Sequence, residues 1–255
     1  MTSPSAVRPS GRPGLALRIE PVIEAARGAP NPTGPVRWFI RAIEDGIELR
    51  TVIRRWSVAD ELTPRTGRVA GGAALRNARL AVAVQGRRPL LTFPPEAGLL
   101  AVLRAGASAA PQGEERLLYA VLSAGARETA GTSPAAHDVA VRTLLRRAAE
   151  AEACWLRELP ERPAGLARDS TWPAAAVGPV SRTGALVVLL GAEGPGPVAD
   201  LRLGQALQSV RLTSMALGLR PEVLAAPVPV GVLPHSLQPR LPSGGSLAVL
   251  ELSPG

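Results

Sequence analysis

The sequence contains no lysine, one cysteine, two histidines and only 3% aromatic residues. A single cysteine, Cys154, excludes an internal disulfide and a thiolate zinc cluster. His137 and His235 are far apart, so no His-rich metal site or His-based charge relay has a local signature, and we predict no metal site. No apolar run approaches the roughly 18 residues of a membrane span, and the N-terminus lacks the apolar core of a secretion signal. We therefore expect a cytoplasmic protein without a membrane partner.

The charge is basic, with 29 arginines against 21 acidic residues and a net charge of +8. A nucleic-acid-binding surface would need basic residues clustered on one element, with aromatic side chains between them for stacking. The arginines are instead scattered along the chain. We interpret the excess as solvated surface charge and predict no nucleic-acid partner; retention on nucleic acid at physiological salt would contradict this.

With 255 residues and 46% hydrophobic content, the chain can form one large domain or two small ones. Residues 1–14 are rich in Ser, Pro, Gly and Arg and predict a flexible N-terminal tail. No linker divides the remainder, and no repeat at solenoid spacing is visible, so residues 15–255 are predicted to form one domain.

The first half predicts helices, a hairpin and a short strand. The apolar spacing of Val22, Ile23 and Ala26 predicts a helix that ends at Gly28. Alternation over 36–51 around Asp45-Gly46 predicts a β-hairpin whose turn needs positive φ. The remaining expectations are helices at 71–84, 96–104 and 114–126, a strand at 90–93 and a loop at 105–113.

The second half predicts a long helix over 134–159, begun by Ser133-Pro134, with Cys154 buried and inert on it. A surface loop is expected at 160–179. Residues 185–190 predict a central strand, and 246–250 a final strand. Between them, a helix over 200–217 should end at Gly218. Its apolar stripe is predicted to exclude Arg202, Gln205, Gln208 and Arg211.

Three segments carry a resemblance to a known family. The segment APNPTGPVRW, Ala29 to Trp38, is similar to an A-P-S-P-H-N-T-Q-P-W motif, and GGAALRNARLAVAVQG at 71–86 to a helix beginning C-G-A-A-L. The stretch Gly204 to Leu219 matches a late G-x-A-L-x-x-x-x-L-x-A-x-x-L-G-L helix, with Ser214 at the second Ala. Together they resemble the nitroreductase superfamily, most closely the divergent flavin-mononucleotide (FMN) oxidoreductases associated with dormancy in actinobacteria.

The resemblance implies an α+β fold with a nitroreductase-like mixed β-sheet flanked by helices. It also implies an intertwined dimer, formed with itself or with a homologue, that holds FMN at the subunit interface. Flavin needs polar donors at its ring edge and cations at its phosphate. Thr33 and Gly34 stand where the family has part of a His-Asn-x-Gln group. Arg127 and Thr129 match the start of an R-x-T-x-R-x-x-F motif.

The sequence therefore predicts an FMN-dependent oxidoreductase that transfers hydride between a nicotinamide, NAD(P)H, or an organic substrate and an acceptor. No side-chain acid or base is identified as catalytic, because in this chemistry the flavin does most of the work. The alternative is a flavin-free binding or partner subunit acting on a small-molecule or peptide intermediate. It follows from Gly34, Val36, Gly131 and Pro134, which replace polar, arginine or aromatic positions of the family.

Overall fold

The computed structural model describes residues 16–29, 36–53, 62–125, 135–163, 166, 184–194, 196–233, 235–241 and 245–255. The predicted tail and most of the predicted loop at 160–179 lie outside these residues. The helices are α1 (Ile19–Arg27), α2 (Leu62–Val84), α3 (Gly113–Ala124), α4 (Val139–Glu150) and α5 (Pro197–Ala216). The strands are β1 (Val36–Ile43), β2 (Gly46–Ile53), β3 (Arg87–Thr92), β4 (Leu99–Ser108), β5 (Cys154–Leu159), β6 (Leu186–Ala192), β7 (Leu219–Ala225) and β8 (Ser246–Pro254). Short 3₁₀ helices span Val230–Val232 and Gln238–Arg240. The predicted α+β class is confirmed.

The strands form two four-stranded sheets, with orders β1-β2-β4-β3 and β5-β6-β8-β7. Every pairing between the described strands is antiparallel, so the observed arrangement is two antiparallel sheets rather than one mixed sheet. Helix α2 packs on the first sheet, α5 packs on the second, and the two helices pack on each other. The main apolar core lies in this middle layer and continues onto the inner faces of both sheets.

The two halves of the chain repeat one order of elements. In each, a helix (α1 or α4) precedes two strands, a long helix and two more strands, and the resulting sheets have the same strand order. Helix α3 lies between the two sets in the chain. The sequences of α2 and α5 repeat as well, with matching residues at a constant offset: Gly72 and Gly204, Leu75 and Leu207, Arg79 and Arg211, Gly86 and Gly218, Pro89 and Pro221. Gly86 and Gly218 both have positive φ, +74° and +77°, where the chain leaves the helix for a strand. Sequence reasoning missed this repeat because its period is about half the chain.

The predicted hairpin is confirmed as β1 and β2, but its turn lies one residue earlier than expected. Ile43 pairs with Gly46, so Glu44 and Asp45 form the turn and Gly46 belongs to β2. Neither Asp45 nor Gly46 has positive φ. Glycine is needed for space instead, because a Cβ at position 46 would lie 1.9 Å from the carbonyl oxygen of Leu103 on β4. Trp38 faces the core from β1 and is 5% exposed.

Two predicted helices are wrong. Residues 99–108 form β4, which lies between β2 and β3, so most of the helix expected at 96–104 is strand. The loop expected at 105–113 is shorter, because 105–108 belong to β4 and α3 begins at Gly113. The long helix expected at 134–159 is divided: α4 begins after Asp138, which accepts a hydrogen bond from the amide of Ala140. It ends at Glu150, and Ala153, with φ +55°, turns the chain into β5. Cys154 is therefore on a strand.

Other predicted elements are confirmed. Helix α2 includes the predicted 71–84 and begins nine residues earlier, at Leu62. Strand β6 pairs with both β5 and β8, which makes it a central strand. Helix α5 is followed by Gly218 in the left-handed conformation. Among the helices of the described part of the chain, none is both long and apolar enough to cross a membrane.

Candidate functional site

The four residues predicted to bind FMN, Thr33, Gly34, Arg127 and Thr129, lie outside the described residues. The described chain ends at Ala29, which is buried, before the first pair, and resumes at Val36, the first residue of β1. Gly125 and Ala135 border the second pair. The other two family-like segments lie on α2 and α5, and the candidate site is described from these two helices.

Helices α2 and α5 contact each other where two glycines meet. A Cβ on Gly204 would lie 1.9 Å from the carbonyl oxygen of Val69 and 2.9 Å from the Cα of Gly72. A Cβ on Gly72 would lie 2.2 Å from the carbonyl oxygen of Leu201. No other residue type fits either position without moving backbone, so this close approach of α2 and α5 requires both glycines. The pattern of contacts, with Arg65 near Asp200 and Asn77 near Gln208, shows that the helices run in the same direction.

Polar side chains line this helix pair in three clusters, and the first surrounds Asp200. The carboxylate of Asp200 is only 2% exposed and accepts hydrogen bonds from Arg65, Arg68 and Ser246 at 3.2, 2.8 and 2.7 Å. Arg65 also donates to the carbonyl of Gly245, just before β8. This cluster joins the start of α2 to α5 and β8. Its polar groups satisfy one another, which is the signature of a structural ion pair.

The second cluster surrounds Glu152, which follows α4. Arg79 Nη1 donates to Glu152 Oε2 at 2.5 Å and to Gln205 Oε1 at 2.8 Å. Arg76 lies 3.5 Å from the other carboxylate oxygen, and Ser209 Oγ is also 3.5 Å from it. Burial lowers the pKa of Arg76, although the nearby carboxylate of Glu152 opposes that shift. One buried carboxylate thus balances two arginines of α2.

The third cluster contains Arg211, which forms no ion pair with a carboxylate of the described residues. Arg211 Nη1 donates to Gln208 Oε1, Gln208 Nε2 donates to Asn77 Oδ1, and Asn77 Nδ2 donates to the carbonyl of Ala25 in α1. Burial lowers the pKa of Arg211. Gln205 and Gln208 were predicted to lie off the buried face, but they are 2% and 3% exposed. Only the packing of α5 against several helices could reveal this, because amphipathic spacing alone assigns glutamine to solvent.

Cys154 is buried, as predicted, and its environment makes it inert. Burial is the main factor that raises the pKa of its thiol to about 12, and the carboxylate of Glu152 adds to the effect. The thiolate that nucleophilic chemistry requires is therefore scarce at neutral pH. Within the described ranges, no group of three or more His, Cys, Asp or Glu side chains could hold a metal ion.

The described residues include donor groups that suit the predicted cofactor. The indole Nε1 of Trp38 and the Nε of Arg211 are both buried, and neither has a hydrogen-bond acceptor among the described residues. A flavin nucleotide presents acceptors, its ring carbonyls and its phosphate. Buried donors without an acceptor could donate hydrogen bonds to those groups. Trp38 lies on β1, the strand that follows the predicted ring-binding segment.

Neither the scan of protein-family models nor the search of curated proteins finds a match to this chain. The structure shows where two of the three family-like segments lie. The segments at 71–86 and 204–219 form the contacting helix pair α2 and α5 together with the turns that follow.

Proposed function

We propose that this chain is an FMN-dependent oxidoreductase of the nitroreductase type. The observation that carries the proposal is the contact at Gly72 and Gly204, which brings two of the three family-like segments together as one helix pair. The third segment leads from the end of α1 into β1, and its Trp38 packs in the same core as α2 and α5. Segments that were independent in the sequence thus share one structural unit.

In this proposal, Thr33 and Gly34 face the ring edge of the flavin, and Arg127 and Thr129 bind its phosphate. FMN supplies the hydride-transfer chemistry between a nicotinamide or organic substrate and an acceptor. The chain binds and orients the reactants and excludes water, and we assign no side chain as a catalytic acid or base. Following the resemblance, we propose that the protein acts as a dimer, with itself or with a homologue.

A flavin-free role is the second candidate, and a specific observation favours it. Gly34 and Gly131 have no side chain that could donate a hydrogen bond, and Val36 and Pro134 offer only apolar ones. Gly131 stands at the second arginine of the family motif, and loss of that charged hydrogen bond to phosphate costs about 1.5–3 kcal/mol. A protein without these donors would serve as a binding or partner subunit for a small-molecule or peptide intermediate.

The visible spectrum of the purified protein distinguishes the two candidates. The chain is purified without added cofactor, desalted and titrated with FMN. Saturable binding near one flavin per chain, with flavin absorbance that survives desalting, supports the oxidoreductase. A colourless protein that takes up no FMN refutes it and supports the flavin-free role.

The Arg127→Ala variant tests the phosphate assignment. Loss of a charged hydrogen bond to phosphate should weaken FMN binding by about 1.5–3 kcal/mol, roughly a 10- to 150-fold increase in Kd. Arg202→Ala is the matched control, because Arg202 is an exposed arginine on α5. If Arg127→Ala binds FMN as tightly as wild type, Arg127 does not bind the phosphate.

A further inference from the structure

Arg79 and Arg211 occupy the same place in the repeated halves of the protein. Each lies seven residues after the contact glycine of its helix, Gly72 in α2 or Gly204 in α5. Each helix packs against the first helix of its own half, α1 or α4. The repeat therefore allows a direct comparison of the surroundings of the two guanidinium groups.

Arg79 has a carboxylate partner from the other half of the chain. Glu152 stands two residues beyond the end of α4, and its Oε2 accepts from Arg79 Nη1 at 2.5 Å. The side chain of Glu152 is 4% exposed, so the carboxylate is held in place for this pairing. The Arg79 side chain is 25% exposed, so the buried member of this pair is Glu152, and the guanidinium supplies the opposite charge that its carboxylate needs.

Among the residues that the structure describes, Arg211 has no carboxylate in the place of Glu152. The hydrogen bonds through Gln208 and Asn77 lead from Arg211 to α1, the element that corresponds to α4. Two residues beyond the end of α1 stands Ala29 instead of an acid, and the sequence of 30–35 contains no Asp or Glu. Among the described residues, no carboxylate forms an ion pair with Arg211, and its buried Nε has no acceptor.

A buried guanidinium Nε without a hydrogen-bond acceptor is unfavourable, and an oxyanion that accepts its hydrogen bond and carries the opposite charge stabilises it. Guanidinium presents donors in a planar fork that matches the oxygens of phosphate or carboxylate. We propose that Arg211 is the cation of a binding site for an oxyanion group of a small molecule, phosphate or carboxylate, between α5 and the C-terminal end of α1. The ligand oxyanion takes the place that Glu152 occupies beside Arg79.

Thermal unfolding with inorganic phosphate as the probe tests this site without reference to flavin. Wild type, Arg211→Met and Arg202→Met are compared in phosphate and in chloride at equal ionic strength. We expect phosphate to raise the Tm of wild type and of Arg202→Met above the chloride value, because a ligand that binds only the folded state stabilises it. Phosphate also stabilises folded proteins in general, so Arg211→Met should keep only that general increment, which is smaller than the increment of wild type and of Arg202→Met. Should Arg211→Met fail to fold, Arg211→Gln replaces it, since its amide can still donate to Gln208.

No phosphate increment in wild type overturns the proposal, as does an increment in the Arg211 variant equal to that of wild type, or an equal reduction in Arg202→Met. FMN and riboflavin then identify the source of the anion. If the Arg211 variant binds FMN at least 10-fold more weakly but riboflavin as wild type does, the site takes the flavin phosphate. If the phosphate increment is reduced and both flavin affinities are unchanged or absent, the site takes the oxyanion of another ligand. The oxyanion site can therefore be refuted or supported independently of the proposed flavin function.

Discussion

Replacing Gly204 with alanine should destabilise the protein more than any ordinary glycine-to-alanine change in a helix. The added Cβ would lie 1.9 Å from the carbonyl oxygen of Val69 and 2.8 Å from its carbonyl carbon. Both atoms belong to the backbone of α2, so no rotamer change can relieve the clash. Ordinary contact begins near 3.4 Å, so the helices must separate by roughly 1.5 Å.

The magnitude follows from two opposing effects. Alanine favours a helix by about 1 kcal/mol relative to glycine. Overpacking in a close-packed core costs about 1–3 kcal/mol, and more when backbone must move. Because separation of α2 from α5 loosens contacts along the whole helix pair, we expect the second effect to dominate. The free energy of unfolding should fall by about 3 kcal/mol.

Urea unfolding at 25 °C measures this loss. Gly113→Ala is the matched control, because Gly113 is in the first turn of α3 and an added Cβ there meets no atom within 4 Å. The control should be neutral or slightly stabilised. Gly72→Ala should resemble Gly204→Ala, and the double variant should lose less than the sum, because both changes disrupt one contact. If Gly204→Ala is as stable as Gly113→Ala, the close helix contact does not exist in solution.

Three further outcomes follow from the buried clusters. Asp200→Asn leaves Arg65 and Arg68 without their carboxylate and should reduce the free energy of unfolding by about 3 kcal/mol, measured by urea titration. The control is Asp45→Asn, in an exposed ion pair, which should reduce it by less than about 1 kcal/mol. Equal losses would contradict the structural role of Asp200. Cys154 should react slowly with a thiol reagent at pH 8 in the folded protein and promptly in denaturant. Prompt labelling of the folded protein would show that the thiol is not buried. Burial raises the pKa of Cys154 from 9.0 to about 12, so the folded protein binds more protons than the unfolded chain between these values, and stability should fall as pH rises above about 9. Cys154→Ser should reduce this pH dependence, and an unchanged slope would assign it to other groups.

Sequence reasoning failed where one composition suits two structures. Residues 99–108, LLAVLRAGAS, are rich in Leu and Ala and have high helix propensity, yet they form β4. The position between β2 and β3 decides this, because a central strand gains hydrogen bonds on both sides and buries its apolar residues. The division of 134–159 had no signal either, since Ala153 adopts positive φ without being glycine or asparagine.

Sequence reasoning also identified some features of the candidate site and missed others. The sequence alone indicated the family-like segments, the buried state of Cys154 and the contact-forming glycines as part of a helix motif. It could not show that Gln205 and Gln208 are buried, that Glu152 balances Arg79, or that Arg211 lacks an equivalent partner. These facts depend on residues far apart in the chain.

The sequence by itself determined local features: the hairpin at 36–53, the ends of α1 and α5 at Gly28 and Gly218, and the central strand β6. These depend on nearest neighbours, turn residues and short apolar patterns, which a linear reading contains. Only the tertiary structure decided the two antiparallel sheets, the parallel pairing of α2 with α5, and which arginines have carboxylate partners. The physical reason is that strand pairing and ion pairing join residues tens of positions apart, and the contacts of α2 with α5 join residues more than a hundred positions apart. Each contact depends on the space and charge that the folded chain brings together.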